Sequence, residues 1–517
     1  MSAVLPTGWV VTSLRELVSL KTGPFGSSLH GSDYVADGIP IINPMHMEGG
    51  RISASNKHRV SVETADRLHD FKVQLNDIVI GRRGEMGRCA VVRQRETGWL
   101  CGTGSLIVRS TIGLDADFLQ RYLSSDAVVK YLLQASVGST MANLNQEVLM
   151  AITVSLPPRT EQTRIVDKLE ELLSDLDAGV AELKAAQKKL TRYRQSLLKA
   201  AVEGRLTEAW RAQRGAEADS EESGAQLLAR ILRERRARWE AKQLAKFEAQ
   251  GKAPSKGWQD KYPGPLSSSL SAIPDLPQGW TRATLDQLTE FITSGSRGWA
   301  DYYAEQGSTF IRSQNINRDW LDLSDIAYVN PPQNSEGART KVKRDDLLLT
   351  ITGANVGKAA SVTIDLDDAY VSQHVALIRP IEPKLTSFLH LFLTSVAGGR
   401  GQLNKEAYGA GKPGLNLQQV AAVPVPLPGA PELIAIMEEV DRQFVAASRQ
   451  EKALATALRQ SAAQRKNILQ SAFSGQLVPQ DPNDEPASVL LARIRAKRAA
   501  QSEASGSSRR PRRVASE

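Results

Sequence analysis

The chain has 517 residues, of which 41% are hydrophobic and 24% charged, and it carries a formal net charge of +8 with a pI near 9.3. This length exceeds what one ordinary hydrophobic core accommodates, so we expect two or more domains, and no apolar run is long enough to span a bilayer. The basic excess favours a polyanion such as nucleic acid as partner, with a basic surface that serves only solubility as the alternative.

The cysteines and the first residues indicate a cytoplasmic protein. Only Cys89 and Cys101 are present, too few for a disulfide framework or a four-thiolate zinc site. The opening "MSAVLPTGWVVTSL" lacks a basic stretch followed by a continuous apolar core, so we expect no secretory signal. A reducing compartment is the expected location.

An opening phrase, "LPTGW" at 5–9, returns as "LPQGW" at 276–280, and the repetition continues along both halves. The run "NDIVIG" corresponds to "DDLLLT", and "SLIVRS" corresponds to "ALIRP", which aligns Arg109 with Arg379. Further on, "NLNQEV" corresponds to "GLNLQQ", and "QSLLKAAVEGRL" to "KNILQSAFSGQL". The chain is therefore predicted to contain two copies of one unit, each a globular part followed by a long helix.

The globular parts, which we place at 5–157 and 276–428, mix strand and helix signals. Short apolar runs bounded by charge and glycine, "DIVIG" and "DLLLTI", predict buried strands. The runs "ITVSLPP" and "VPVPLPG" alternate and stop on proline, as edge strands do. Residues 117–134 and 386–396 have helical spacing. These signals predict the α+β class, with two similar mixed α/β domains.

A heptad pattern follows the first globular part, within 158–206. This seam of alternating three- and four-residue steps predicts a coiled-coil helix. Residues 160–203 would extend about 66 Å at 1.5 Å per residue. The seam consists of Leu169, Leu173, Leu176, Val180, Leu183, Gln187, Leu190, Arg194, Leu197 and Ala201.

The same seam recurs, with poorer residues, in the distal helix at 429–478, where Arg465 is equivalent to Arg194. Two helices of matching register in one chain would most simply pack antiparallel on each other. Such a strut would hold the two globular parts at a fixed distance. The alternative is two separate surface helices, each buried on its own domain.

Residues 207–275 separate the two copies and contain a predicted basic helix at 225–250, followed by a flexible linker rich in Gly, Pro and Ser. The C-terminal part, 479–517, repeats this helix pattern in "PASVLLARIRAKRAAQ" and ends in a predicted disordered basic tail. Both helices carry a stripe of Leu and Ile among arginines. Each is either a solvated basic helix or a docking helix for another subunit, since the stripe has no evident site in its own chain.

The motifs that would carry catalysis are incomplete. "NPPQ" at 330–333 has Gln333 where adenine methyltransferases place an aromatic ring, and no Gly-rich turn for S-adenosylmethionine accompanies it. "GANVGK" at 353–358 has too few residues between its glycines for a P-loop, and Ala359 replaces the hydroxyl residue. The six histidines show no helical ligand pairing, and no carboxylate–lysine cluster indicates a nuclease. We therefore expect neither catalysis nor a metal site.

Three pairs of polar loops occupy equivalent places in the two copies. Arginine can bond guanine bidentately, Asn and Gln suit adenine, and lysines and backbone amides reach phosphates. Identical scaffolds with different loop chemistry would read two different sequences. For any single loop the alternative is turn glycines with solvated charges. The pairs are 81–88 with 350–358, 42–47 with 311–317, and 136–141 with 408–414.

These loops and the strands beside them supply the side chains that we expect to contact DNA. In the first copy they are Lys21, Asn43, His46, Arg82, Arg83, Arg88, Ser139 and Thr140. In the second copy they are Arg297, Arg312, Gln314, Asn315, Thr352, Asn355, Lys358 and Lys412.

Essentially the whole chain resembles the specificity subunits of type I restriction–modification systems. The resemblance is carried by the duplicated "LPxGW", the strands "DIVIG" and "DLLLT", the exits that begin "LNQEV" and "LNLQQ", the coil ends "LLKAAVEGRL" and "ILQSAFSGQL", and the ending "LVPQDPNDEPASVLLARIRAKR". It implies two target-recognition domains, each binding one half of a bipartite DNA site, and paired helices that set the unread spacer. It further implies no catalysis by this chain.

The resemblance also implies partners. Methylation would belong to two modification subunits and ATP-dependent cleavage to restriction subunits, so S-adenosylmethionine, ATP and Mg²⁺ would bind there, in a prokaryotic cytoplasm, and no cofactor would bind this chain. Two departures are the insert 207–275 and the pair Glu432–Leu433, where the first copy has Glu161–Gln162, which puts symmetric docking of a modification subunit in question. The alternative function is a protein–protein assembly scaffold without sequence-specific DNA binding.

Overall fold

The computed structural model describes residues 5–24, 28–53, 55, 57–110, 113–135, 144–214, 221–267, 275–295, 298–331, 335–407 and 413–507. The chain divides into two compact units, residues 1–184 with 455–517, and residues 185–454. Each unit combines small sheets with helices, which confirms the predicted α+β class.

The first unit contains the strands β1 to β12. Its two four-stranded sheets have the orders β2-β11-β8-β9 and β10-β4-β7-β3, and β1 pairs with β12 and β5 with β6. The strands are β1 (Val10–Ser13), β2 (Val18–Thr22), β3 (Tyr34–Val35), β4 (Ile39–Ile42), β5 (Met47–Glu48), β6 (Arg51–Ile52), β7 (Arg59–Val60), β8 (Ile78–Gly81), β9 (Cys89–Val91), β10 (Leu100–Cys101), β11 (Ser105–Ser110) and β12 (Thr153–Leu156).

The second unit repeats this topology strand for strand. Its sheets have the orders β14-β23-β20-β21 and β15-β19-β16-β22, with β13 on β24 and β17 on β18. One pair in each unit is parallel, β4 with β10 and β16 with β22. The strands are β13 (Thr281–Thr284), β14 (Thr289–Ser294), β15 (Tyr303–Ala304), β16 (Ser308–Ile311), β17 (Ile316–Asn317), β18 (Trp320–Leu321), β19 (Ala327–Val329), β20 (Leu347–Thr350), β21 (Ala359–Ser361), β22 (Ala369–Val371), β23 (Val375–Pro380) and β24 (Pro424–Leu427).

The helices range from four residues to 44 residues, the length of each of the two longest, Arg159–Val202 and Ala430–Phe473. The region 117–134, which has helical spacing, contains two helices, of which the first ends at Leu123 and the second begins at Asp126. The α-helices are Leu14–Leu17, Val62–Arg67, Ala116–Leu123, Asp126–Ala135, Gln146–Met150, Arg159–Val202, Glu208–Arg214, Gly224–Ala249, Ser335–Thr340, Lys384–Thr394, Gly399–Glu406, Leu417–Ala421, Ala430–Phe473 and Ala487–Ser507.

The predicted buried strands are confirmed as fully buried strands inside the two sheets. β8 and β20 each lie between two neighbours, and all four residues of both strands are buried. The continuous apolar runs of these strands follow from this position, since both faces of the strand are covered. The polar loops that leave β8 and β20 are thereby attached to strands that lie within the core of each unit.

The two long helices pair antiparallel within each unit. In the first unit Asp177 forms an ion pair with Arg465, and in the second Arg194 Nη1 lies 3.0 Å from Glu451 Oε1. The two helices run in opposite directions in the first unit, because Leu169 packs in one cluster with Ala472, whereas the later Asp177 meets the earlier Arg465. The predicted seam is thus confirmed as the contact surface, and both seam arginines are neutralised by a carboxylate of the facing helix.

In the first unit the phrase "LPTGW" at 5–9 contacts the start of the long helix Arg159–Val202. Trp9 donates its indole N–H to Glu161 Oε2 at 3.0 Å, and both side chains are buried. Gly475, at the end of the distal helix, packs on the same phrase with a φ of 74°. A Cβ there would lie 2.3 Å from Pro6 Cγ and 3.1 Å from Trp9 Cζ2. Only glycine fits both the left-handed backbone and this close approach.

In the second unit the phrase "LPQGW" makes the same contacts with the start of the helix Ala430–Phe473 and with the end of the helix Arg159–Val202. Trp280 Nε1 donates to Glu432 Oε2 at 2.8 Å, and Gly204 packs on Pro277 and Trp280 with a φ of 71°. Each "LPxGW" phrase therefore joins the start of one long helix to the end of the other, within one unit. This double role is the physical reason why the phrase occurs twice.

The structure contradicts both interpretations of the basic helices, as solvated helices and as docking helices for another subunit. The helix Ala487–Ser507 buries Leu490, Leu491 and Ile494 in the core of the first unit, while Arg495 binds Glu16. The helix Gly224–Ala249 likewise buries Leu227 and Ile231 in the second unit. The apolar stripes are therefore neither solvated nor free for another subunit. Periodicity could not show this, because the covering surface lies far away in sequence.

Part of the predicted flexible linker is also ordered. Residues Trp258–Lys261 form a 3₁₀ turn, and Trp258 stacks on Trp239 of the basic helix with a centroid distance of 5.9 Å. Tyr262 packs edge-on against Trp239 at 5.4 Å. Aromatic packing thus holds a segment whose Gly and Pro content had predicted a flexible linker.

Candidate nucleic-acid interface

In the first unit two of the predicted loops meet at one end of the β2-β11-β8-β9 sheet. The central loop, 82–88, connects β8 to β9, and the turn loop, 43–47, follows β4. Arg88 Nη1 donates to the carbonyl of Pro44 at 3.5 Å, which joins these two loops. The third predicted loop, 136–141, lies outside the described residues. Leu144, the first described residue after it, donates its N–H to the Arg82 carbonyl at 2.9 Å.

The second unit brings the equivalent loops together in the same way. The central loop, 351–358, meets the turn loop, 312–317, where Asn355 Nδ2 donates to the Ser313 carbonyl at 3.3 Å. At the end of the third loop, the Gly353 N–H donates to the Pro413 carbonyl at 3.1 Å, and the Leu415 N–H to the Ile351 carbonyl at 2.8 Å. The two polar clusters are thus equivalent in position and different in side chains.

Glycines shape the central loop of the first unit. Gly84 and Gly87 have φ values of 83° and 79°, which favour glycine over other residues. A Cβ at Gly87 would lie 2.4 Å from Val129 Cγ2, so the loop also packs closely on the helix Asp126–Ala135. The turn positions Arg83 in solvent and leaves Arg82 and Arg88 half-buried.

The predicted contact residues differ in how available they are. Lys21 is exposed, although its Nζ lies 3.2 Å from Asp70 Oδ2. Arg83 and Gln314 are also exposed. Half-buried are Asn43, Arg82, Arg88, Arg312, Thr352, Asn355 and Lys358. Ser139, Thr140, Arg297 and Lys412 lie outside the described residues.

Two predicted contact residues are buried, and burial removes them from the candidate set. His46 is 6% exposed, and its Nδ1 accepts the N–H of Asn43 at 3.1 Å. Burial and the neighbouring His58 ring lower the pKa of His46, so a neutral imidazole makes this bond. Asn315 is 3% exposed, and its Oδ1 accepts the N–H of Arg312 at 3.0 Å. Both side chains cap their own turns.

Carboxylates that the sequence did not single out hold several of the basic side chains. Glu85 forms an ion pair with Arg88 within the central loop of the first unit. Asp325 accepts from Arg312 Nη2 at 3.1 Å and from Gln314 Nε2 at 2.7 Å in the second. The three-residue spacing of Glu85 and Arg88 was a readable signal, whereas no local pattern indicates Asp325. Arg83 is the exposed cation of its loop for which no such partner is found among the described residues.

An ion pair between an arginine and a buried aspartate supports each cluster. Arg109 Nη2 lies 2.7 Å from Asp77 Oδ2, and Arg379 Nη2 lies 2.6 Å from Asp346 Oδ2. The aspartates immediately precede β8 and β20, and the arginines lie on the neighbouring strands β11 and β23. These pairs fix the strands from which the central loops leave. Alignment of Arg109 with Arg379 was visible in the sequence, but their partners were not.

The departure at the helix starts has a structural explanation. Gln162 accepts the N–H of Asp115 at 2.8 Å and donates to the Pro157 carbonyl at 3.0 Å. Its counterpart, Leu433, instead lies in the hydrophobic core of the second unit. The two helix starts are therefore fixed by different means. How either one docks a partner stays a prediction.

Among the described residues, no group of three or more His, Cys, Asp or Glu side chains is arranged to hold a metal ion. Within the same part of the chain, every helix is too short or too polar to span a bilayer. Burial raises the pKa of the Cys89 thiol to about 12, so this thiol is neither a nucleophile nor a thiolate ligand near neutral pH.

The model of the family described as type I restriction modification DNA specificity domain matches residues 6–185 and again residues 277–455. These matches cover more than half of the chain, which therefore belongs to that family. The two matches correspond to the two copies of the internal repeat.

Two relatives extend the likeness over nearly the whole chain. The specificity subunit of the type I restriction enzyme EcoBI from Escherichia coli is 25% identical over 510 residues, which cover 95% of this chain and 93% of the relative. The EcoKI specificity subunit from Escherichia coli strain K12 is 22% identical over 519 residues, covering 96% and 97%. A solved chain from work on complex assembly and conformational transition of the type I R-M system shares the fold, with a TM-score of 0.62 and 17% identity over 92% of this chain and 100% of that chain.

Proposed function

We propose that the chain is the DNA sequence-specificity subunit of a type I restriction–modification complex. One observation carries this proposal above the others. The same fold and the same contact between the central loop and the turn loop occur twice, with different side chains in each cluster. A single chain built in this way can read two different short sequences, one with each domain. The recognition domains are placed at 5–157 and 276–428.

The chemistry of the clusters suits a duplex. Arg83, Arg312 and Gln314 offer donors to base edges, and the half-buried Lys358 lies beside Asn355, its Nζ 2.8 Å from Asn355 Oδ1. The antiparallel helices would set the length of the unread spacer between the half-sites.

The proposal assigns catalysis to other chains. Two modification subunits would bring S-adenosylmethionine, and restriction subunits would bring ATP and Mg²⁺, while this chain binds no cofactor. Relatives carry the name of specificity subunits, which supports this division of labour. A reader of cellular DNA of this kind would work in the cytoplasm of a prokaryote.

An exchange of domains tests the proposed function. The modified two-part motif is first obtained by sequencing methylated bases in cells that express the chain with its modification subunit. Replacing residues 5–157 with the same domain of another family member is expected to change one half of that motif and preserve the other. A motif left unchanged in both halves contradicts the proposal. Binding that lacks sequence preference would favour the assembly scaffold instead.

Arg83→Ala is expected to weaken binding to the cognate duplex by about 1–3 kcal/mol, with the loss confined to the first half-site. Arg83 is the cleaner choice, because Arg82 Nε also donates to the Leu144 carbonyl at 3.5 Å and supports the loop. Titration of fluorescent duplexes with either half-site altered measures the effect.

Arg95→Ala is the matched control for Arg83→Ala. It removes one positive charge from the same unit, but Arg95 lies in the turn after β9, at the opposite end of the sheet from the loops. Its binding should match that of the wild type. Equal losses for both variants would indicate general electrostatics and not a located contact.

A further inference from the structure

The tip of the β17–β18 hairpin contains an arginine in a left-handed backbone conformation. Arg318 and Asp319 join these strands with φ values of 48° and 67°. Two-residue turns with positive φ at both positions favour Gly, Asn or Asp, and a longer side chain is disfavoured there. The equivalent β5–β6 hairpin of the first unit uses Gly49 and Gly50, with φ values of 55° and 78°.

Contacts within the chain account for Asp319. Its Oδ1 accepts the N–H of Ala359 at 3.4 Å and forms an ion pair with Arg400, and its carbonyl is hydrogen-bonded to His390 Nε2 at 3.0 Å. Arg318 has no comparable role. Its side chain is exposed and makes no hydrogen bond or ion pair with the part of the chain that the structure describes. The backbone strain at Arg318 is therefore retained without an internal contact that requires an arginine.

The hairpin tip lies beside the polar cluster of the second unit. The turn loop runs directly into β17, and Asn355 binds this loop at Ser313. On the other side, Ala359, which holds Asp319, directly follows Lys358 of the central loop. Trp320, next to the tip, is 51% exposed. An exposed arginine and an exposed tryptophan thus lie two positions apart in the chain, beside the loops.

We propose that Arg318 contacts the DNA of the second half-site. This inference rests on the proposed function and adds a residue outside the loops found by alignment. A guanidinium binds phosphate oxygens or a guanine edge, and strained residues that persist without a structural reason occur at functional sites. The first domain, with Gly49 at this position, lacks the contact, so the two domains differ in their footprint on the duplex.

The variant Arg318→Gly separates function from structure, because glycine suits the backbone of this turn better than arginine. The purified chain with its modification subunit should melt at the same temperature as the wild type or higher. Its affinity for the cognate duplex should fall by roughly 5- to 100-fold. If the group bound is a phosphate, the salt dependence of binding also becomes shallower, and if it is a base, the variant stops discriminating one position of the second half-site.

Arg344→Ala is the matched control. It removes the same charge from the same unit, and Arg344 precedes β20 at the end of the sheet away from the loops, so its affinity should not change. Wild-type affinity in Arg318→Gly overturns the inference, and so does a loss of affinity accompanied by a lower melting temperature. A wild-type complex that prefers no two-part duplex would instead overturn the proposed function, a result seen before any variant is made.

Discussion

Replacing Arg379 with alanine is expected to lower the free energy of unfolding of the second unit by about 3–5 kcal/mol. Arg379 Nε and Nη2 lie 2.7 and 2.6 Å from the two oxygens of Asp346, a side chain that is only 1% exposed. Arg379 Nη2 also donates to the Lys341 carbonyl at 3.1 Å, and the guanidinium lies over the Phe291 ring at 4.8 Å. Its removal leaves a buried carboxylate without its main partner.

The first unit provides the comparison for this variant. Arg109 makes the equivalent pair with Asp77, but its side chain is 38% exposed, against 17% for Arg379. Water can therefore replace part of the lost interaction, and Arg109→Ala should destabilise its unit less. Hydrogen exchange of the β11 and β23 amides, followed in the same full-length sample, reports the two units separately.

A double replacement tests the cause. Arg379→Met combined with Asp346→Leu removes both charges, so most of the lost stability should return, because an unpaired buried charge and not the missing attraction dominates the effect. If the double variant is as unstable as Arg379→Ala, the packing of the arginine and not its charge supports the sheet. Unchanged exchange in Arg379→Ala would show that the pair contributes little.

Local patterns predicted the parts of the fold whose signal is local. The apolar run around Ile78 to Ile80 predicted a buried strand, and the heptad leucines predicted the paired helices, because each pattern is complete within a short stretch of sequence. Repetition then located the three loop pairs by alignment. No pattern announced that Leu490 and Leu227 belong to domain cores, since the surfaces that bury them are distant in sequence.

The sequence predicted which loops form the candidate site better than it predicted which side chains of those loops are exposed. Alignment selected loops of which the central loop and the turn loop contact each other in both units, but the exposure of each side chain depends on the hydrogen bonds of its loop. His46 and Asn315 follow the first residue of their turns by three positions, which is the spacing of a capping residue. That spacing indicated a structural role, whereas the chemistry of the two side chains had suggested contacts with DNA. Arg318 was missed because a positive φ is invisible in sequence when the residue is not glycine.

Glu432→Ala should destabilise the second unit by about 3–5 kcal/mol, because three donors converge on this buried carboxylate. Trp280 Nε1 and Thr207 Oγ1 donate to it at 2.8 and 2.6 Å, and Arg211 forms an ion pair with it. Alanine leaves an indole N–H, a hydroxyl and a guanidinium without their acceptor. A lowered urea midpoint together with rapid exchange of the β13 and β24 amides would verify this.

Glu161→Ala makes the matched change in the first unit. Glu161 accepts from Trp9 at 3.0 Å and from Gln480 at 3.2 Å, both neutral donors, so its loss strands no cation and should destabilise less. If the charged donor Arg211 explains why Glu432→Ala is the more destabilising variant, adding Arg211→Met to Glu432→Ala should recover part of the lost stability. Adding Gln480→Met to Glu161→Ala should recover little. Equal destabilisation by the two single variants would assign the stability of both joints to the shared Trp–Glu bond alone. In that case the repeated "LPxGW" phrase would be the dominant fastening of each domain to its helices.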